Sequence, residues 1–282
     1  MGMTTIALTG ATGTIGGLVA RTLAERDVEA RLLVRDPDRA PRLGLPVWAC
    51  SYDEGAALRE ALAGVDVLLL VSAHETADRV DLHRSVVGAA ADAGVEHVVY
   101  TSFVGAAPDA GFTLARDHGA TEDIVRDAGL THTFLRDNFY AEVFAHFAGD
   151  DGVIRGPAGQ GRVAAVSQRD VAAVAAEVLL DPAAHRDATH DLTGPEAFTL
   201  DEAARVLTEV TGRPHSFHDE TLDEARASRA DYGAPDWQVD AWISTYTAIR
   251  DGELDAVSDA VPTILGRPAI SLAEALRDAP AS

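Results

Sequence analysis

Thr9-Gly10-Ala11-Thr12-Gly13-Thr14-Ile15-Gly16-Gly17 is a run whose residue types and spacing suit phosphate binding. Gly10 permits a tight turn, Gly13 lets backbone N–H groups approach an anion with no Cβ in the way, and Gly16 lets a helix lie close to a sheet. Thr12, Thr14 and Ile15 complete the loop. A helix that starts there offers free N–H donors and the positive end of its dipole. The ligand this pattern predicts is the pyrophosphate of a dinucleotide. Arg35 follows about 20 residues beyond the glycine turn, at the end of the next apolar run, where an arginine suits the 2′-phosphate of NADP and an acid would suit NAD. NADP(H) is therefore the expected cofactor. Asp36 beside Arg35 keeps NAD(H) open, as does an alternative in which Arg35 pairs at the surface with Asp36 or Asp38.

Some chemistry is excluded by composition. The chain contains no lysine, so all 23 basic residues are arginine and no Schiff base can form on a side-chain amine. His215-Ser216-Phe217-His218 invites a metal reading, but in an extended segment residues three apart point to opposite faces, so no metal site is expected. The single cysteine, Cys50, ends an apolar run and reads as a buried structural thiol.

The elements that must position these residues alternate along the first half. Apolar runs at Thr5–Thr9, Glu29–Val34, Pro46–Ala49, Val65–Val71, His97–Thr101 and Thr131–Leu135 predict strands. Helical spacing lies between them at Thr14–Arg26, Glu54–Ala63, Asp78–Ala93 and Asp117–Ala128. This order predicts an α/β fold, a doubly wound parallel Rossmann sheet, with ligands beyond the carboxyl ends of its strands. From Gly152 the pattern loosens: a loop over 155–161, a helix at Arg169–Leu180, a strand near Thr189–Leu192, a helix opened by Thr199 and Glu202 as a capping box, and helices at Leu222–Ala230 and Trp237–Ile249. The expected division is a dinucleotide-binding domain over 1–150 and a smaller, mostly helical, substrate-covering region over 151–282, partly interleaved with the sheet.

A chain of 282 residues with 47% hydrophobic residues can bury a full core. Its net charge of −22 argues against nucleic acid as a partner, because a nucleic-acid surface needs a basic stripe. No stretch reaches the roughly 20 apolar residues of a membrane span, and the start reads as a strand rather than a signal peptide. A reducing cytoplasm, and a monomer or homodimer acting on a small molecule, is the expected setting.

The strings Thr9-Gly10-Ala11-Thr12-Gly13, Val34-Arg35-Asp36-Pro37, Tyr52-Asp53, Gly64-Val65-Asp66, Tyr100-Thr101-Ser102, Leu135-Arg136-Asp137-Asn138-Phe139-Tyr140, Ser167-Gln168-Arg169-Asp170 and Leu265-Gly266-Arg267-Pro268 together resemble the NmrA-like atypical short-chain dehydrogenases/reductases, and within them type 2 NAD(P)H:quinone oxidoreductases. The resemblance covers essentially the whole chain. It implies that Asp53 lies near the adenine and that Ser72 and Ala73 flank the cofactor. Most short-chain reductases exchange protons through Tyr-x-x-x-Lys, which a lysine-free chain cannot have. His118 matches the position that carries a histidine in the quinone-reductase pattern, with Glu122 on the same helical face; a histidine can move a proton near neutral pH. The alternative is a surface histidine paired with Glu122. Thr101 and Ser102 are further catalytic candidates, or else strand-end caps. Asn138 suits the carboxamide of a nicotinamide, and Phe139, Tyr140, Trp237 and Trp242 suit the walls of a planar acceptor, although core packing of these aromatics stays open.

The resulting expectation is an NAD(P)H-dependent oxidoreductase that passes hydride to a quinone or similar electron-poor planar acceptor. Two alternatives are a nonenzymatic NAD(P)-binding redox sensor and a reductase or isomerase of secondary metabolism.

Overall fold

The computed structural model describes residues 4–278. Among the described residues nine strands run in chain order: β1 (Ile6–Thr9), β2 (Ala30–Val34), β3 (Val47–Ala49), β4 (Val67–Leu70), β5 (His97–Phe103), β6 (Thr131–Asp137), β7 (Val153–Gly156), β8 (Ala188–Leu192) and β9 (Ser216–Asp219). The helices are α1 (Thr14–Glu25), α2 (Gly55–Leu62), α3 (Arg79–Ala93), α4 (Thr113–Asp127), α5 (Phe144–Phe147), α6 (Gln168–Leu180), α7 (Leu200–Thr211), α8 (Leu222–Arg229), α9 (Asp236–Arg250), α10 (Ala260–Leu265) and α11 (Leu272–Asp278).

Seven strands form one sheet in the order β3-β2-β1-β4-β5-β6-β8. β1 pairs in parallel with β2 and β4, β2 with β3, and β4 with β5. Strand order reverses at β1, so the crevice above β1 and β4 is the place where such a sheet takes a ligand. β1 and β4 are buried along their whole length. That is why their sequences read as continuous apolar runs rather than alternating ones. On one face Leu68, Leu70, Val98 and Tyr100 pack with Leu58, Leu62, Val86 and Val87 of α2 and α3. Each fully buried aliphatic side chain stabilises by about 1.5–3 kcal/mol.

The chain divides into two compact units. The first holds the residues up to Ala106 together with Asp117–Arg136 and Arg169–His190; the second holds Ala107–Arg116, Asp137–Gln168 and the residues from Asp191 onward. Residues 169–190, which a boundary at 150 assigns to the later region, return a helix and most of a strand to the first unit. In the second unit β7 and β9 pair in parallel as a separate ladder. β7 occupies part of the stretch that sequence pattern alone reads as a loop. The Thr199–Glu202 capping box has both of its bonds. Among the described residues no helix is long and apolar enough to cross a membrane.

Candidate cofactor site and its polar cluster

Gly10 ends β1 with a φ of +69°, in the left-handed region that suits glycine. A Cβ at Gly10 would lie 2.8 Å from the Cβ of Val71, and one at Gly16 would strike the carbonyl of Gly10. The turn closes with Gly13 N–H donating to the Gly10 carbonyl (2.9 Å), and α1 begins with Gly13 as an N-cap that has no side-chain cap bond. The first N–H groups of α1 are thus left for another acceptor. Thr12, Gly13 and Thr14 are exposed, whereas Ile15 is buried and anchors the helix. A tight turn that tolerates no Cβ at Gly10 or Gly16, followed by an uncapped and exposed helix start, fits a dinucleotide pyrophosphate.

Around this turn the strand ends are tied down. The Tyr52 hydroxyl donates to the Val71 carbonyl (2.6 Å) and lies 2.7 Å from the Thr9 hydroxyl, which couples β1 to β4. Ser72 N–H donates to Thr101 Oγ1 (2.8 Å). Arg35 lies exposed past β2 with its Nη2 3.3 Å from His74 Nε2. Asp53 is exposed, and its hydrogen bond with Ser51 holds its carboxyl below the usual range.

His118 is 6% exposed and sits inside a polar cluster rather than at a surface. Arg79 Nη2 lies 3.1 Å from His118 Nε2, and a guanidinium only donates, so Nε2 accepts and the imidazole proton sits on Nδ1. That proton is directed at Tyr100 Oη, 2.9 Å away. Burial, reinforced by the charge of Arg79 and by His83, holds His118 well below the usual histidine range. His83 is fixed the same way: Ala73 N–H donates to Nε2 (2.9 Å), and Nδ1–H faces Thr121 Oγ1 (2.8 Å). Burial, then Arg79, pushes His83 down to about 3. Desolvation takes the Tyr100 phenol up to about 12, with Arg79 opposing.

Burial and Arg79 thus favour the neutral form of His118 over the charged one. Arg79 also fixes its tautomer. Glu122 is engaged elsewhere: Ser102 donates to Oε1 (2.7 Å), Arg136 grips both carboxylate oxygens (2.8 and 2.7 Å), and Arg126 reaches Oε2 (3.0 Å). Burial alone would raise Glu122, but the bonds from Arg136 and Ser102 and the charges of Arg136 and Arg126 keep it lowered. Thr101 and Ser102, both 2% exposed, spend their hydroxyls on these internal bonds.

The second unit holds the remaining candidates. Asn138, 1% exposed, donates from Nδ2 to the Leu254 carbonyl (3.0 Å) and accepts the Phe139 N–H at Oδ1 (2.8 Å), so its amide knits the unit together. Phe139 packs edge-on against Phe112 at 5.1 Å. Tyr140 donates to Asp137 Oδ2 (2.9 Å). Asp137 is 1% exposed, its Oδ1 has no partner among the described residues, and burial drives its carboxyl well above the usual range despite the Tyr140 bond. A cavity of about 400 Å³ is lined by Phe147, Tyr232, Trp242, Tyr246, Arg155 and Arg229, among others. Trp242 and Tyr246, one helical turn apart on α9, both face it, whereas Trp237 is 39% exposed outside its lining. Arg229 pairs with Glu220 (3.0 Å) and lies 5.2 Å over the Tyr246 ring.

Sequence reasoning passed over Arg79, which is 6% exposed. The only signal was its place four residues before His83 on a helical pattern. Arg84 on the same helix shows why that was not enough: it has the same residue type and a side chain 56% exposed.

A family model described as NAD(P)H-binding matches residues 10–182, which include the glycine turn and every member of the polar cluster. The chain belongs to the NAD(P)H-binding family. Relatives similar over nearly the full length include an NAD(P)H azoreductase of Xenophilus azovorans, 34% identical over 95% of this chain and 96% of the relative. Quinone oxidoreductase 2 of Escherichia coli is 34% identical over 96% of this chain and 97% of its own. Among solved structures, the E. coli NADPH-dependent quinone oxidoreductase complexed with NADPH superposes with a TM-score of 0.88 at 33% identity, covering 96% of this chain and 98% of that one. Triphenylmethane reductase of Citrobacter sp. with NADP(H) superposes with a TM-score of 0.86 at 31% identity, covering 97% and 99%.

Proposed function

We propose that this protein is an NAD(P)H-dependent oxidoreductase that passes hydride to a conjugated, electron-poor acceptor of the quinone type, with NADPH used in preference to NADH. The observation that carries the reading is the neutral, tautomer-fixed His118–Tyr100 pair in a lysine-free chain. Such a pair is a poor acid at neutral pH. Hydride addition to an isolated ketone needs a strong proton donor, because the alkoxide formed is very basic. Hydride addition to a quinone yields a stabilised phenolate that water can protonate. The relatives named for azo compounds, quinones and triphenylmethane dyes all reduce conjugated acceptors, which supports the same class here. Arg35 beyond β2 supports NADPH. The cofactor supplies the hydride; this chain supplies binding, orientation and a fixed electrostatic environment.

The test is consumption of NADPH and NADH against a panel of benzoquinones, naphthoquinones, azo dyes and simple ketones. Turnover is expected with the conjugated acceptors and not with the ketones. Tight NADPH binding with no turnover on any of them would favour the redox-sensor alternative.

A further inference from the structure

Arg79 opens α3 with its side chain almost wholly buried. Burying a cation costs several kcal/mol unless a partner neutralises it. Here the nearest carboxylate, Asp117 Oδ2, stands at 4.0 Å from Nη1, while Nη2 serves the neutral acceptors Ser72 Oγ (2.6 Å) and His118 Nε2 (3.1 Å). Nε has no partner among the described residues. A buried, weakly neutralised charge has been kept where an apolar side chain would be cheaper.

Of the neutral neighbours, only Ser72 carries the charge outward; Asp117, also partly exposed, is an anion and cannot pass it to an acceptor. His118 is as buried as Arg79, whereas Ser72 is half-buried and immediately follows Val71, the residue that meets Gly10 of the dinucleotide turn. A hydroxyl has one donor and two acceptor sites. Arg79 takes an acceptor site of Ser72 at a charge-assisted length, which polarises the Ser72 O–H as a donor. The sheet order β2-β1-β4-β5 says which part of the ligand this is. With Arg35 at the end of β2 and the glycine turn at the end of β1, a bound dinucleotide would set its adenosine over β2 and its pyrophosphate over β1. Its other half would then fall over β4.

We propose that Arg79, acting through the Ser72 hydroxyl, supplies a fixed positive charge to an oxygen of the nicotinamide half of the cofactor. Arg79 is a positioning residue in this role, and His118 orients it. The assignment rests on the dinucleotide site and not on the identity of the acceptor. It also explains how the site dispenses with lysine: an arginine holds the charge without titrating. The titratable groups facing the guanidinium are Asp117 and His118 of α4, His83 of α3 and Tyr100 of β5. Between pH 7 and 10 both histidines are already neutral and Tyr100 keeps its proton.

The experiment is calorimetric binding of NADPH and of adenosine 2′,5′-bisphosphate, from pH 7 to 10, to the parent, Ser72→Ala and Arg79→Lys proteins. Ser72→Ala should weaken NADPH by ~10-fold and leave the bisphosphate unchanged. Arg79→Lys should bind NADPH more weakly than the parent wherever its buried amine has given up its proton, at the latest by pH 10, while the parent stays flat. Unchanged NADPH binding in Ser72→Ala, equal weakening of both ligands, or parent-like NADPH binding by Arg79→Lys across the whole range would each overturn the assignment. Because no acceptor is present, failure of the quinone reading is seen separately, as absent turnover in a parent that binds NADPH.

Discussion

In the first unit the buried histidines are bases held neutral, His83 and His118 against Arg79 and His97 between Thr131 and Thr133, while the buried Glu122 stays charged on Arg136 and Arg126. In the second the corresponding group is an acid, Asp137, with one oxygen on Tyr140 and the other unpartnered among the described residues. Both units bury a titratable group in its uncharged form, but the consequences for stability run in opposite directions. A base with a depressed pKa favours folding at high pH, and an acid with a raised pKa favours it at low pH. The comparison also separates how each unit handles fixed charge. The first keeps Arg79 without a close counter-ion near the ligand crevice. The second neutralises its buried Arg229 with Glu220 at 3.0 Å. A neutralised arginine is a packing element, whereas one left weakly paired is available to a ligand.

The largest expected effect breaks the first unit with acid. His83 is down to about 3, His97 to about 4, and His118 is well below the ordinary 6.5. Since the folded values are lower than the unfolded one, their stabilising contribution is complete above pH 6.5. It is lost as pH falls and the unfolded chain takes up protons that the native state refuses. At pH 4.5 the loss is on the order of 2–3 kcal/mol for His83 and for His97; His118 acts in the same direction and the raised Asp137 opposes it. Melting temperature should therefore fall steeply between pH 6.5 and 5, before most carboxylates titrate. His83→Gln should flatten that slope. A melting temperature constant over this window would show that the cluster admits protons or water.

Next in size is the cofactor contact at the end of β2. If Arg35 holds the 2′-phosphate as proposed, Arg35→Ala removes a charge-assisted contact of about 1.5–3 kcal/mol, and NADPH affinity should drop by an order of magnitude or more. NADH affinity should barely change, because that cofactor has no 2′-phosphate to lose. Equal losses for both cofactors, measured by fluorescence titration, would place Arg35 outside the phosphate site and move the preference to His74 or the loop beside it.

The two units also differ in how far their sequences reveal them. The first repeats strand and helix at regular intervals, and the expected Thr5–Thr9 and Asp78–Ala93 are found as Ile6–Thr9 and Arg79–Ala93. The glycine turn is legible because its chemistry is local, with all its glycines within a few residues of one another. Arg79 is not, because its burial arises only when α3, α4 and β5 are assembled. In the second unit β7 is only four residues, Val-Ile-Arg-Gly, and its partner β9 lies about 60 residues on. A strand that short carries no periodicity of its own, so the segment reads as loop. The helix carrying His118 also starts earlier than its apolar spacing suggests, at Thr113 rather than Asp117. Asn138 reads as a ligand group from its place after β6. The structure adds that one of its amide N–H groups donates to the Leu254 carbonyl, more than a hundred residues away in sequence, a contact that no local pattern announces.

The smallest expected effect concerns the aromatic cavity of the second unit. Trp242 and Tyr246 line it together, and Trp242 also meets Tyr232 edge-on at 5.8 Å. The size of about 400 Å³ suits a bicyclic conjugated molecule. If the cavity takes the acceptor, an offset-stacked indole adds about 0.5–1.5 kcal/mol beyond the area it buries. Trp242→Leu keeps apolar bulk and removes the stacking face. Acceptor KM should then rise by roughly 2- to 10-fold, the equivalent of that energy, with NADPH affinity unchanged. Trp237→Leu provides the contrast within the same helix, since Trp237 stands outside the cavity lining and its loss should leave KM alone. Tyr246 is a poorer probe, because its ring also packs on Gly156 and under Arg229, so replacing it disturbs the core. A melting temperature lowered by Trp242→Leu with KM untouched would make the cavity a packing defect of the second unit. The acceptor would then have to be sought near Phe139 and Tyr140, where the Phe112–Phe139 pair offers the other aromatic wall.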